Sequence, residues 1–109
     1  MAKNYKIIAQ ASPAAATDTT LYTVPGASEV IISSITICNR GSAAANYKVA
    51  MRPNGETLAD KHYIVFNTQV PAFDTVALSI GLTADATDVI TVYASTASVS
   101  FGVFGSVIS

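Results

Sequence analysis

The chain has one cysteine, Cys38, and no tryptophan. A single thiol cannot close an internal disulfide, so a disulfide-held scaffold is excluded, and the composition is consistent with assembly in a reducing cytoplasm. Without a cysteine pair and a Trp, the signature of an antibody-type domain is missing too. Charge is equally scarce, with 12% of residues being Asp, Glu, Lys or Arg against a usual share of about 25%. The six basic residues, Lys3, Lys6, Arg40, Lys48, Arg52 and Lys61, are scattered, and the formal net charge is −1. No cluster can neutralise a run of phosphates, so nucleic acid is not expected as a partner. Every apolar run is broken by Ser, Thr, Gly or Asp well short of the ~20 residues of a spanning helix, so no membrane partner is expected. Lys3 and Lys6 precede Ile7 and Ile8, but Gln10, Ser12 and Pro13 interrupt that tract, and no export signal is read there.

What the chain does have is small and apolar. Half of its 109 residues are hydrophobic, and Ala, Ser and Thr are abundant. This length makes one domain, long enough to bury roughly 65% of the surface of the unfolded chain. A monomer that had to stay soluble alone would more often carry a denser, mixed charge pattern. The sparse charge therefore reads as assembly into a larger object, the plainer alternative being a mild-surfaced monomer.

The longest strand-like run is Glu29 to Gly41, EVIISSITICNRG, ended by Asn39, Arg40 and Gly41. Read with a strict period of two, Val30, Ile32 and Cys38 point one way and Ile31, Ile35 and Ile37 the other. This implies a strand covered on both faces, with the flanking segments as its partners. Before it come a short strand at Tyr5–Gln10, an extended connector at 11–18 around Pro13, and a strand at 20–25 closed by Pro25 and Gly26. After it, Tyr47, Val49 and Met51 alternate with Lys48, Ala50 and Arg52, up to a tight turn at Arg52–Gly55. Residues 56–60 suit one irregular turn. Further strands are read at Lys61–Thr68, at 75–80 with Val76, Leu78 and Ile80 facing inward, at Val89–Tyr93, and from Val99 to Ile108. Residues 81–88 read as a turn-rich connector, and the last two strands as a hairpin. About eight short strands and no sustained helical period define an all-β chain. The expected fold is an antiparallel β-sandwich, either a jelly roll or an immunoglobulin-like Greek key. Residues 1–18 form an N-terminal strand and arm, and residues 19–109 the sandwich domain.

Chemical motifs are few. His62 is the only histidine and stands in no nucleophile motif, although a general base needs no motif. Asp74, Asp85 and Asp88 are candidates either for calcium or for turn capping, and capping is the ordinary role of Asp before a strand. Cys38 reads as a small buried hydrophobe. Tyr5, Tyr22, Tyr47, Tyr63 and Tyr93 suit either core and rim packing or a carbohydrate-binding face. No catalytic residue, cofactor or metal ligand is assigned, and the chain is not expected to be an enzyme.

The segments LYTVP (21–25), SSITICNRG (33–41), KHYIVFNT (61–68), TDVITVYAST (87–96) and SFGVFG (100–105), in this order from about residue 19 to the end, resemble a family of small virion proteins of tailed bacteriophages, particularly phages of cyanobacteria. The resemblance implies a structural, non-enzymatic β-sandwich present in many copies in the virion. Its expected place is the capsid surface or the tail, reached by assembly in the host cytoplasm. The leading role is head decoration (cement); the alternatives are a tail or baseplate accessory and, in another class, a receptor- or glycan-binding module. Expected partners are further copies of the chain, a trimer suiting local three-fold positions, and the major capsid protein or other virion proteins. Interface candidates are Tyr5 and Ile7, on an arm that can add a strand to a neighbour's sheet, and Val30 and Ile32, on the strand that reads as apolar on both faces.

Overall fold

A computed structural model describes residues 3–79 and 81–108, with side chains from Lys6 onward. Its nine strands are β1 (Lys3–Ala11), β2 (Thr19–Thr23), β3 (Glu29–Asn39), β4 (Ala45–Arg52), β5 (Tyr63–Val70), β6 (Thr75–Leu78), β7 (Leu82–Ala84), β8 (Val89–Ala94) and β9 (Val99–Ile108). Two 3₁₀ turns, Pro53–Gly55 and Asp60–His62, lie between β4 and β5.

The strands are nested in antiparallel pairs: β1 with β9, β2 with β8, β3 with both β6 and β7, and β4 with β5. This is one long hairpin, turning at residues 53–62. It is rolled so that β9 also pairs with β3, and β8 with β4. One sheet runs β1-β9-β3-β6, with β7 beside β6 on the same edge of β3; the other runs β2-β8-β4-β5. A hairpin rolled into two facing sheets is a jelly roll, which decides between the two topologies left open by the sequence.

Three expectations about pairing are corrected by this order. β8 and β9 lie in different sheets, so they form no hairpin, and the flanking strands β2 and β4 are not partners of β3. A short strand, β7, occupies part of the expected connector and pairs with Val30–Ile32. Residues 3–11 lie in the chain's own sheet as its edge strand, β1 pairing with β9 from Lys3 to Ile7 and from Ala9 to Ala11. Val76 and Leu78 do face inward, while Ile80 lies outside the described residues.

The core lies between the sheets. Val30, Ile32, Ile35 and Ile37 of β3 and Val99, Phe101 and Val103 of β9 meet Tyr47 and Val49 of β4 and Ile90, Val92 and Ala94 of β8. Tyr47 and Phe101 pack edge to face across the gap, with ring centroids 6.5 Å apart. Burial of Tyr47 pushes its phenol pKa above the ordinary value.

One irregularity makes this core possible. Ile32 pairs with Gly105 and Ser34 with Phe104, so Ser33 is an extra residue in β3, a β-bulge. The bulge shifts the alternation by one position. Val30 and Ile32 before it and Ile35 and Ile37 after it consequently face the same core, and all four are fully buried. The two apparent apolar faces of the sequence pattern are one face with a phase shift. A Cβ at Gly105 would collide with the Ile31 carbonyl oxygen, so the backbones at the bulge can approach only because residue 105 has no side chain. β1 bulges nearby, between Ile7 and Ala9, opposite Phe104 and Val103.

The far end of β3 is held by Asn39, which is buried and has every valence of its amide placed. Its Nδ2 donates to the carbonyls of Ala43 (2.8 Å) and Val70 (3.3 Å). Its Oδ1 accepts from the Gly41 N–H (2.9 Å) and the Ser98 hydroxyl (3.1 Å). The end of β3, the 40–44 loop, the end of β5 and the β8–β9 loop thus meet on one side chain. By contrast, the buried Ser106 Oγ has no hydrogen-bond partner among the described residues.

Substitutions can test the phase shift. Ile31→Lys is expected to cost less than about 0.5 kcal/mol because position 31 faces solvent, whereas Ile32→Ala costs about 2–5 kcal/mol through a core cavity. Equilibrium denaturation of the two variants checks this, and equal losses would contradict the bulge. In the same assay, Ser106→Ala is expected to leave stability unchanged or raised, because the hydroxyl it removes is buried and unpaired.

Candidate functional site

Among the described residues there is no group of three or more His, Cys, Asp or Glu side chains that could hold a metal ion, and no helix is long and apolar enough to cross a membrane. The candidate carboxylates serve the backbone. Asp88 Oδ1 accepts from the Asn54 N–H and Oδ2 from the Asp85 N–H, both at 2.8 Å, which ties the β7–β8 turn to the turn after β4. Asp85 and Asp74 each cap the following N–H.

His62 is buried and both of its ring nitrogens are engaged. Nδ1 accepts the Ala59 N–H at 3.0 Å, which leaves the proton on Nε2, directed at Glu56 Oε1 3.3 Å away. Glu56 also faces Lys61 Nζ at 3.5 Å. The hydrogen bond from His62, and after it the Lys61 charge, lower the Glu56 carboxyl pKa. The trio clamps the long turn between β4 and β5. His62 therefore stands beside a carboxylate, and the geometry gives it a positioning role in the loop.

Two surfaces remain. The first is the outer face of the β1-β9-β3-β6 sheet. Ile7 is 57% and Ile31 43% exposed, on either side of the half-buried Phe104. Ile7 pairs with Phe104 in register, and Ile31 with Ser106 two residues along. Of the interface residues expected from the sequence, Ile7 is on this face. Tyr5 takes the register position opposite Ser106, and its side chain lies outside the described residues. Val30 and Ile32 are withdrawn from the interface because the bulge turns both into the chain's own core. The exposed apolar residue of that run is Ile31.

The second surface is the outer face of the other sheet, near β5. The Lys48 ammonium sits 4.8 Å from the Phe66 ring centroid and 4.3 Å from that of Tyr93, between two aromatic rings. Phe66 meets Tyr63 edge to face at 4.9 Å, and with Asp60 the pair lines an open groove of about 380 Å³. Partial burial, and after it the Asp18 and Asp60 carboxylates, raise the Tyr63 phenol pKa. Of the remaining tyrosines, Tyr47 is in the core and Tyr22 packs against it. Phe66, which the sequence reading did not single out, is carried outward by two unpaired residues, Phe66 and Asn67, in β5.

Phe73 was also not legible as a site residue. It is 74% exposed, with a φ of 54°, a left-handed conformation that is costly for a bulky side chain. The turn is held there by the Phe73 N–H on the Gly41 carbonyl and the Asn39 N–H on the Asp74 carbonyl.

No family model and no curated protein matches the chain. Three solved structures share its fold. Over 97% of this chain and 30% of the matched chain, it superposes on a chain of the T13 IBDV viral particle with a TM-score of 0.55 and 14% identity. The corresponding values for infectious bursal disease virus strain Gt are 0.53 and 11%, and for strain Gx 0.51 and 10%. At these identities the likeness is one of fold, and the chain spans under a third of the length of the chains it matches.

The clamp makes a prediction about pH. A carboxylate whose pKa is lowered by folding contributes stability above its unfolded pKa, and that contribution is lost as pH falls through the folded value. Glu56 is expected to titrate below the ordinary glutamate value and to rise toward it in His62→Ala, with the Lys61 charge still holding it below, as read by NMR on the side-chain carboxyl. An ordinary value in the parent chain would contradict the clamp.

Proposed function

We infer that the chain is a virion structural protein without enzymatic activity, and that its particular role is to decorate the capsid of a tailed phage in many copies. The observation that carries the reading is the jelly-roll fold, which superposes over nearly the whole chain on part of chains of icosahedral virus particles. The low charge, the resemblance to phage virion proteins and the exposed apolar residues support it. A decoration protein acts by burying surface against shell subunits and its own copies, each Å² of apolar contact favouring the closed shell by roughly 25 cal/mol before ordering costs. Weak contacts sum through repetition.

Phe73 has the features of an anchor in this role. Among the described residues it is the most exposed large hydrophobic side chain, and it holds a backbone conformation that Gly or Asn would tolerate better. Local strain combined with exposure suits a contact made on assembly.

A second reading, a glycan-binding module, rests on the Tyr63–Phe66 groove with the Asp60 carboxylate beside it. Aromatic faces flanked by a carboxylate suit a sugar ring, and Phe66→Ser would abolish binding on a glycan array if that reading holds.

Quantitative mass spectrometry of purified particles is expected to find hundreds of copies per particle; a few dozen would transfer the chain to the tail, and absence would end the virion reading. Phe73→Asn is expected to keep or raise the melting temperature, since Asn accepts positive φ, and to lower particle occupancy. Unchanged occupancy would remove Phe73 from the interface.

A further inference from the structure

We propose that the outer face of the β1-β9-β3-β6 sheet mates with the same face of a second copy of this chain, about a two-fold axis that sets the strands of the two copies antiparallel. The first observation is the absence of charge. Between the two ends of the sheet, the outward register positions are Tyr5, Ile7 and Gln10 on β1, Ser100, Gly102, Phe104 and Ser106 on β9, Ile31, Ser34, Thr36 and Cys38 on β3, and Thr75, Ala77 and Thr83 on the far edge. An isologous contact sets like against like, which a neutral face permits and a singly charged one resists.

The second observation fixes the orientation. Glu29 lies at one end of β3 on this face, at the register of Ile108. Arg40 lies just past the other end, and its guanidinium donates to Ser100 and Ser12 hydroxyls at 2.9 Å and to the Ala97 carbonyl at 3.1 Å. Neither residue forms an ion pair among the described side chains. An axis in the plane of the interface and perpendicular to the strands lays β3 over β3 with its direction reversed, so that each Glu29 meets the partner copy's arginine at the opposite end. In that arrangement Lys3 and Asp74, on the two outer edges, face the far ends of the same edges of the partner copy, and the exposed Lys6 takes the inward register position of Gly105.

The third observation is size. The strands of this sheet, spaced ~4.8 Å apart and rising ~3.3 Å per residue, present ~590 Å², which lies at the bottom of the ~600–1,000 Å² per partner of stable interfaces. Ile7, Phe104 and Ile31 form the apolar centre, and the small Ser, Thr, Ala and Gly residues around them leave the face flat enough for sheet-on-sheet packing at ~10 Å. A weak dimer is expected in solution, strengthened where a particle holds copies side by side.

This proposal rests on reading the chain as an assembling unit, and it is tested without the particle. Sedimentation velocity of the full chain at low salt, over a concentration series, is expected to show reversible dimerisation. Ile31→Lys, which leaves the core intact, is expected to weaken it by more than about tenfold, and Glu29→Arg by roughly three- to tenfold. Because Arg40 also ties Ser12, Ala97 and Ser100 together, Arg40→Glu is interpreted only beside its thermal melt. Glu29→Arg, which breaks no hydrogen bond or ion pair among the described side chains, is the decisive single variant, and the Glu29→Arg/Arg40→Glu double variant is expected to recover most of the lost affinity. A chain monomeric at all concentrations, a dimer indifferent to Ile31→Lys, or a folded double variant no tighter than Glu29→Arg alone overturns the proposal. A monomer that still enters particles would refute this face and leave the proposed function standing; a dimer absent from particles would do the reverse.

Discussion

The contact between the bulge at Ser33 and the bare backbone of Gly105 determines what the rest of this sandwich can be. Without the extra residue, the strict two-residue period of β3 would place either Val30 and Ile32 or Ile35 and Ile37 outside. With it, four branched aliphatic side chains reach one core, each worth about 1.5–3 kcal/mol when fully buried. The bulge in turn requires a residue without a Cβ opposite it, and Gly105 supplies that. β3 is the strand with most partners, joining β9 on one side to β6 and β7 on the other, so an error of phase there would spread through the sheet.

The same phase shift decides which surface is left for assembly. Position 31 is turned outward beside β9, and with Ile7 and Phe104 it gives the β1-β9-β3-β6 sheet a small apolar centre in an uncharged field. The opposite sheet has a different outer character, in which Lys48 lies between the rings of Phe66 and Tyr93 and carboxylates stand near Tyr63. One face is thus suited to its own likeness and the other to a partner or ligand with polar groups.

Most of the strands were legible because their apolar residues alternate, as in Tyr47–Arg52 and in Thr75–Leu78 with Val76 and Leu78 facing in. Pairing was not legible. A jelly roll joins the two ends of the chain, β1 to β9, and separates neighbours such as β8 and β9, whereas local pattern favours hairpins. β7 escaped notice because three residues among Gly, Thr and Asp carry too little apolar signal. The bulge was misread as a second apolar face, since a single-residue phase shift and a two-faced strand produce the same letters. Ile7 was an interface candidate from its place on the N-terminal arm, and the structure leaves it exposed, whereas Val30 and Ile32 were not separable from Ile31 without the register. The Asn39-Arg40-Gly41 run read only as a strand end, yet Asn39 joins four segments, Arg40 spans three, and a Cβ at Gly41 would crowd Ser98 Oγ.

The central claim is that a jelly roll with little charge is built to be covered by other protein through its outer faces. Electron microscopy of the intact particle at side-chain resolution tests it most directly, because it reports location, copy number and contacts together. The account predicts repeated copies of this sandwich on the shell, with Ile7, Ile31 and Phe104 closed off by a neighbouring copy and the core set from Val30 to Ile37 untouched. Copies standing alone with the β1-β9-β3-β6 face open to solvent, or a particle without the chain, would contradict it.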